Sequence, residues 1–218
     1  MKIKELFKGV YSIDGRLATK SIAPGKKSYS EELVIVNKEE YRMWNPYRSK
    51  LSASISNGLK HFEFEEGSSV LYIGAATGTT ASHISDIVKS GRVYCIELSE
   101  RNMRELVEVC EDRRNMLPIL ADARMTETYD MVVEPCDVIY QDASAREQAE
   151  MLKKNSMFLK KGGYAYFIIK SQSVDVSKDP KDVFKSELAL LEDEFEVLER
   201  VRLEPYDKMH LFVVMRKK

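Results

Sequence analysis

From residue 61 onward the chain alternates short apolar runs with longer amphipathic ones. "SVLYIG", "RVYCIEL", "MLPILAD", "DVIYQD" and "GYAYFIIK" are rich in β-branched and aromatic residues and are bounded by turn formers, which predicts five buried strands. Between them, "TTASHISDIVKS", "SERNMRELVEVCEDR" and "AREQAEMLKKNSMFLKK" predict helices. Gly91 closes the first and Ser99 is placed to cap the second. "PKDVFKSELALLEDE" predicts one more helix, with Pro180 in its first turn. "FEVLERVRLEP" and "MHLFVVMRK" then read as two strands joined by a short turn, and therefore antiparallel. Apolar strands alternating with helices imply an α/β fold, a Rossmann-like and mostly parallel sheet closed by a C-terminal antiparallel hairpin.

The first sixty residues follow a different rhythm. "GVYSIDGRLATKSIAPG" alternates apolar and polar positions, with turn signals at Asp14-Gly15 and Pro24-Gly25. "EELVIVNKEEYRMWNP" predicts a further strand that breaks at Pro46, and "RSKLSASISNGL" a short helix leading onward. The expected organisation is a small β-rich N-terminal domain with a linking helix at 1–60, followed by the α/β domain at 61–218.

Composition narrows the class. The chain has 218 residues, 44% hydrophobic and 32% charged, as an ordinary globular protein does. No apolar run approaches the roughly 20 residues that span a bilayer. The N-terminal "MKIKELFKGVYSIDGR" lacks the apolar core of a signal peptide, so no membrane association and a cytoplasmic location are expected. Cys95, Cys110 and Cys136 are odd in number and widely spaced, as are His61, His83 and His210. Neither a disulfide framework nor a metal site is expected. Net charge is −1, yet residues 1–60 carry 12 Lys/Arg against 6 Asp/Glu, and residues 61–218 carry 22 against 29. A basic segment on an acidic body fits either a polyanion-binding face or a plain solvated surface.

Candidate chemistry gathers at one end of the predicted sheet. In "LYIGAATGTTASH", Gly74 and Gly78 allow a tight turn and a close approach of backbone to a ligand, and Thr79 and Thr80 open the helix. The spacing is G-x-x-x-G, not the G-x-G-x-x-G of dinucleotide binders. A plain strand-to-helix turn is the alternative. Glu97 ends the second strand, where an acidic side chain accepts hydrogen bonds from ribose hydroxyls. Asp122 follows the third strand, beside the expected place of an adenine, and Asp142 follows the fourth. Lys170 ends the fifth, next to Asp142, and is either a catalytic group or a strand end paired with a carboxylate. Three carboxylates at one edge favour a ligand site over chance surface acids.

The phrases "WNPYRSKL", "YIGAATGTT", "DVIYQD", "LKKGGY", "IKSQSVDVSKDP" and "EPYDKMH" occur in order along nearly the whole chain. In them the sequence resembles the archaeal fibrillarins. The resemblance implies a ribose 2′-O-methyltransferase that uses S-adenosylmethionine (SAM) on pre-rRNA, with tRNA as a further substrate, guided by box C/D RNA. It implies two protein partners, a Nop-type scaffold and a kink-turn-binding ribosomal-type protein. It carries a catalytic Lys-Asp-Lys-His tetrad onto Lys50, Asp142, Lys170 and His210, the last of which the residues alone would leave as a structural histidine. It carries SAM contacts onto Gly74, Gly78, Thr79, Thr80, Glu97, Leu98, Asp122, Ala123 and Asp142. Two positions depart from the family's habit. Leu98 stands where an aromatic residue is usual, and "DASA" stands where Asp-Val-Ala-Gln is frequent, so Ala145 lacks an amide. Lys170 would act as a neutral base or as a cation beside a developing alkoxide. A methyltransferase acting alone on a small molecule, and a non-catalytic assembly subunit, are the competing readings. The basic N-terminal segment and the absence of a substrate-capping insertion weigh against the first, the complete tetrad against the second.

Overall fold

The computed structural model describes residues 2–218. Near the N-terminus five short strands, β1 (Ile3–Phe7), β2 (Val10–Ile13), β3 (Arg16–Lys20), β4 (Leu33–Val36) and β5 (Glu39–Met43), form an antiparallel sheet in the order β1-β2-β3-β5-β4. Asp14 and Gly15, both at positive φ, turn β2 into β3. Asn37 and Lys38 do the same between β4 and β5, with φ of 52° and 69°. Two positive-φ residues suit a type I′ turn, whose twist matches paired strands. The segment "EELVIVNKEEYRMWNP" is therefore a hairpin and not the single strand expected. Lysine in the second turn position, where glycine is the usual signal, hides it.

The linking helix α1 (Lys50–Ser56) starts at Ser49, whose hydroxyl accepts from the Ser52 amide at 3.3 Å. Beyond it lies a seven-stranded sheet of β6 (Ser69–Ile73), β7 (Arg92–Glu97), β8 (Met116–Leu120), β9 (Cys136–Gln141), β10 (Leu159–Lys170), β11 (Phe195–Arg202) and β12 (His210–Lys217). Its order is β11-β12-β10-β9-β6-β7-β8. The β9–β10, β6–β9, β6–β7 and β7–β8 pairs are parallel. The β10–β12 and β11–β12 pairs are antiparallel, which makes the expected closing hairpin. The interspersed helices are α2 (Thr79–Ile87), α3 (Glu100–Glu111), α4 (Gln148–Asn155), the single turn α5 (Ser171–Val174) and α6 (Pro180–Ala189). Ser99 caps α3 and Pro180 opens α6, as expected. Pro118 lies in the outermost strand β8, where a residue without an amide hydrogen is tolerated.

Alternate side chains of each strand feed two cores. Val70 and Tyr72 enter the cluster on one face, Leu71 and Ile73 the cluster on the other. The strand order reverses between β6 and β9, so a crevice opens there at the carboxyl ends of the strands. Among the described residues no helix is long and apolar enough to cross a membrane. Cys95 and Cys136 are buried and Cys110 half-buried, all as free thiols.

A buried charge cluster fastens the small sheet to the large one. Asp86 on α2 accepts from Arg42 Nη1 of β5 at 2.8 Å and from Arg113 Nη1 at 2.7 Å. It also accepts from the Thr19 hydroxyl of β3 at 2.7 Å. Glu31 holds the other side of Arg42, Nε to Oε1 at 2.8 Å. His83, one turn earlier on α2, touches the Thr19 hydroxyl at 2.8 Å and the Tyr29 hydroxyl at 2.7 Å, and stacks on Trp44. Burial first, then the Arg42 and Arg113 charges, push the His83 imidazole well below its ordinary range. The histidine is therefore neutral and serves as a packed hydrogen-bonding plate.

Breaking a buried ion pair leaves an uncompensated charge and costs about 3–5 kcal/mol. Asp86→Ala is expected to lower unfolding free energy by about that much, because it strands Arg113 and weakens the hold on Arg42. Urea denaturation of wild type and variant measures it, and a loss below about 1 kcal/mol would show that the cluster is not what joins the sheets.

Candidate active site

The β6–α2 loop is the tightest part of the crevice. Gly74 has φ of +80°, and a Cβ there would lie 2.9 Å from the Ala143 N and Cα atoms. Only a glycine lets this loop pack on the segment that follows β9. Gly78, at φ of +86°, begins α2. Between them Ala76 also sits at positive φ, and its amide donates to Glu97 Oε2 at 2.8 Å. Glu97 Oε1 accepts the Ser99 amide at 2.8 Å and, more loosely, the Asn102 side-chain amide at 3.4 Å. The carboxylate at the end of β7 thus braces two loops at once.

These loops enclose a cleft of about 580 Å³. Gly74, Glu97, Leu98, Asp122, Ala123 and Asp142 line it, with Lys170 at its inner end. Its size and its few convergent polar groups suit one small organic ligand. Leu98 is 63% exposed and offers an apolar face at the rim. Asp122 is held by Arg124, with Nη2 to Oδ2 at 2.6 Å, and this hydrogen bond draws its carboxyl below the ordinary range. Gly78, Thr79 and Thr80 do not line the cleft. The Thr80 hydroxyl is buried and donates to Ser49 Oγ at 3.0 Å, tying the start of α2 to the cap of α1.

The four residues expected to form a tetrad gather at the inner end. Asp142 is 13% exposed, and Lys50 Nζ lies 3.1 and 3.2 Å from its two carboxylate oxygens. Lys170 Nζ approaches Oδ1 to 2.9 Å, out of line for a hydrogen bond. It donates instead to the Asp142 carbonyl at 2.8 Å and to Ser144 Oγ at 3.1 Å. His210 lies opposite Lys170 in the antiparallel ladder. It reaches the group through Asp207, with Nδ1 to Oδ1 at 2.6 Å, while Asp207 Oδ2 stands 3.7 Å from Lys50 Nζ. Burial raises the Asp207 carboxyl, but the His210 hydrogen bond and the Lys50 and Lys170 charges outweigh it and the net is a lowered value. The result is a row in which basic and acidic side chains take turns, Lys170–Asp142–Lys50–Asp207–His210.

Asp207, Ser144 and Gln148 carry parts of this arrangement that the sequence pattern does not single out. Gln148 is fully buried. Its carbonyl accepts the Lys170 amide at 3.0 Å, and its amide donates to the Ala145 carbonyl at 3.0 Å and the Lys170 carbonyl at 3.3 Å. It joins the end of β10 to the loop after β9 and so performs, from three positions later, an amide's work near Ala145. A fully buried glutamine at the head of α4 has no simple sequence signature. Ser144 and Asp207 each have one, as a polar side chain beside an expected catalytic residue.

Chemically, two lysine amino groups flank one aspartate carboxyl group beside a ligand cleft. Such a set can orient a hydroxyl, take up its proton or stabilise its oxyanion. Among the described residues no group of His, Cys, Asp and Glu side chains is placed to hold a metal ion.

This chemistry has close counterparts among known proteins. The family model described as fibrillarin matches residues 1–218. A curated relative from Thermococcus onnurineus, a fibrillarin-like rRNA/tRNA 2′-O-methyltransferase, is 51% identical over 225 residues, covering 100% of both chains. The structure of Aeropyrum pernix fibrillarin with natively bound S-adenosyl-L-methionine is 42% identical, covers 99% of this chain and 98% of its own, and superposes with a TM-score of 0.92. A chain from a fibrillarin/Nop5p complex, at 38% identity, covers 99% of this chain and 100% of its own with a TM-score of 0.91. With the family model matched from end to end and a relative 51% identical over its full length, the chain belongs to the fibrillarin family.

Proposed function

We propose that this protein is a SAM-dependent RNA ribose 2′-O-methyltransferase that acts on rRNA, and on tRNA, under the direction of box C/D guide RNA. The observation that carries the reading is the pair of lysines clamped on Asp142 at the inner end of a ligand-sized cleft, in a chain of the fibrillarin family. The proposed division is an N-terminal domain with its linking helix at 1–60, which delivers Lys50, and a methyltransferase domain at 61–218. The working location is the cytoplasm. The proposed partners are guide RNA, a Nop-type scaffold, supported by the Nop5p complex of a relative, and a kink-turn-binding ribosomal-type protein.

When bound, SAM supplies an electrophilic methyl group. Glu97 is the proposed acceptor for the ribose hydroxyls of the cofactor. The Asn102 contact at 3.4 Å is the weakest of its three hydrogen bonds and the one an incoming diol can replace. Leu98 and Ala123 would pack on the adenine, and Asp122 would accept from its amino group. Gly74 and Gly78 shape the loop, Thr79 opens α2 behind it, and Thr80 anchors it to the helix that carries Lys50. Around the substrate, Lys50 and Asp142 would fix the orientation of the target ribose. Lys170, as a neutral amine, can take the hydroxyl proton, or as an ammonium can stabilise the alkoxide. His210 would hold Asp207 against Lys50 and contact the substrate. Holding nucleophile and methyl at ~3–3.5 Å supplies much of the acceleration.

Three outcomes test this reading. Glu97→Ala is expected to weaken SAM binding by about 1.5–3 kcal/mol, the range for hydrogen bonds to a charged group. Calorimetric titration of the folded variant measures it, and unchanged affinity removes Glu97 from the site. Lys170→Ala is expected to cut single-turnover methylation by the assembled complex by about 10²–10⁴-fold with SAM affinity retained. Near-normal turnover would make Lys170 a structural strand end. The isolated chain, with a net charge of −1, is expected to bind SAM but to show little sequence-specific RNA affinity at physiological salt. Site-specific methylation should appear when scaffold, kink-turn protein and guide RNA are added. Tight, sequence-specific gel shifts by the chain alone would instead reveal a recognition surface of its own.

A further inference from the structure

A second concavity, of about 560 Å³, runs between the small sheet and the loop before β12. Tyr29, Trp44, Tyr47, Arg48 and Tyr206 line it. It is unusually aromatic for a surface groove. Tyr47 is 68% exposed and meets Tyr206 edge-on at 5.1 Å between ring centres. The Arg48 guanidinium lies 5.5 Å over the Tyr29 ring. Trp44 forms the floor and is fixed from below by stacking on His83 at 4.7 Å. A tyrosine with most of its surface in water gains little for the fold, while aromatic faces beside an arginine are what a nucleotide strand uses.

The charges in the groove support an anionic occupant. Glu31 is neutralised by Arg42 at 2.7 Å, and Glu32 by Arg16 at 2.6 Å. Arg48 is exposed and, among the described residues, has no carboxylate within ion-pair distance, so it is the groove's unspent charge. Two segments that line the groove also lead in sequence into the tetrad. Arg48 stands two residues before Lys50, and Tyr206 directly precedes Asp207, which bonds His210 at 2.6 Å and lies 3.7 Å from Lys50. One wall of the groove is therefore built from the two chain segments that deliver half of the catalytic group.

We propose that this groove is a positioning subsite for the RNA strand, holding the nucleotide next to the target ribose with its phosphate at Arg48 and its sugar against Tyr47 and Tyr206. The proposal rests on the ribose-methylation reading above. The subsite gives the enzyme a grip that is independent of sequence, since every nucleotide offers a phosphate and a sugar. It acts on the register of the strand and not on the methyl transfer itself.

The test uses the full chain assembled with scaffold, kink-turn protein and guide RNA, and a target RNA carrying 4-thiouridine at the nucleotide on either side of the methylated one. Irradiation is expected to crosslink this nucleotide to Tyr47, Tyr206 or their immediate neighbours. In steady-state assays the double variant Tyr47→Ala/Arg48→Ala is expected to raise KM for the target RNA about tenfold, with kcat within about twofold of wild type. Its kcat/KM should also lose about one phosphate's worth of salt dependence. Tyr47→Phe with Arg48→Lys keeps ring and charge and should restore most of the KM, which separates a contact from a folding defect. Crosslinks that map elsewhere, or a double variant with unchanged KM and salt slope, overturn the subsite. So does a double variant that loses scaffold affinity but keeps its RNA KM, because the groove then belongs to a protein contact. Crosslinking needs no methyl transfer, so a wild-type complex that crosslinks here without methylating RNA upholds the subsite and refutes the activity, whereas methylation with crosslinks elsewhere does the reverse.

Discussion

The burial of one carboxylate, Asp86, between two guanidinium groups is the constraint from which the active geometry follows. Arg42 belongs to the small sheet and Arg113 to the loop before β8, and Asp86 on α2 bonds both. Charges taken out of water are tolerated only at close to ideal geometry, so the cluster admits one relative position of these elements. That position decides where the chain between β5 and α1 runs. Lys50, at the start of α1, must cross to the edge of a sheet to which its own segment contributes no strand, and Asp142 lies 92 residues away from it in sequence. The link from Thr80 to Ser49 completes the route from the buried cluster to the lysine.

At the sheet edge a second electrostatic logic operates. Lys170, Asp142, Lys50, Asp207 and His210 form a row in which basic and acidic side chains take turns, so each group stands beside a partner of the opposite kind in a part-buried site. The order also divides labour. Lys170 is fixed by two acceptors and by Gln148 at its backbone, and so presents its nitrogen in one place. Lys50 and His210 are joined through Asp207 and respond together. A change at either end of the row is felt along it, which is why single substitutions here should not be additive.

Much of this is legible in the residues themselves, and the exceptions share a cause. Glu97, Asp142 and Lys170 are strand-end positions, and a strand's end is set by local hydrophobic pattern. They are therefore recognisable from the chain alone. Lys50 and His210 require the family resemblance, because nothing local distinguishes them from other lysines and histidines. The turn at Asn37-Lys38 is hidden because tertiary pairing of β4 with β5 stabilises a positive-φ lysine that propensity disfavours. Thr80 is expected to face the ligand, yet its hydroxyl points to Ser49. The direction of a side chain in a first helical turn depends on what packs beside it, and the partner here comes from 31 residues earlier. Gln148 acts across a loop and is invisible to local pattern for the same reason.

The two free edges of the large sheet have an effect on how copies of the molecule behave in company. β8 is only five residues long and spends one of them on Pro118, which has no amide hydrogen for a ladder. At the opposite edge, β11 carries a bulge between Val197 and Glu199 and places Glu199, Arg200 and Arg202 in its second half. Neither edge can accept an intruding strand without a break in its hydrogen bonds. Colloidal stability is thus secured by the backbone itself and not only by surface charge, which is close to zero overall. Solutions of this protein near its isoelectric point should cloud, if they do, by loose reversible association of side chains, leaving no cross-β seed behind when the charge is restored.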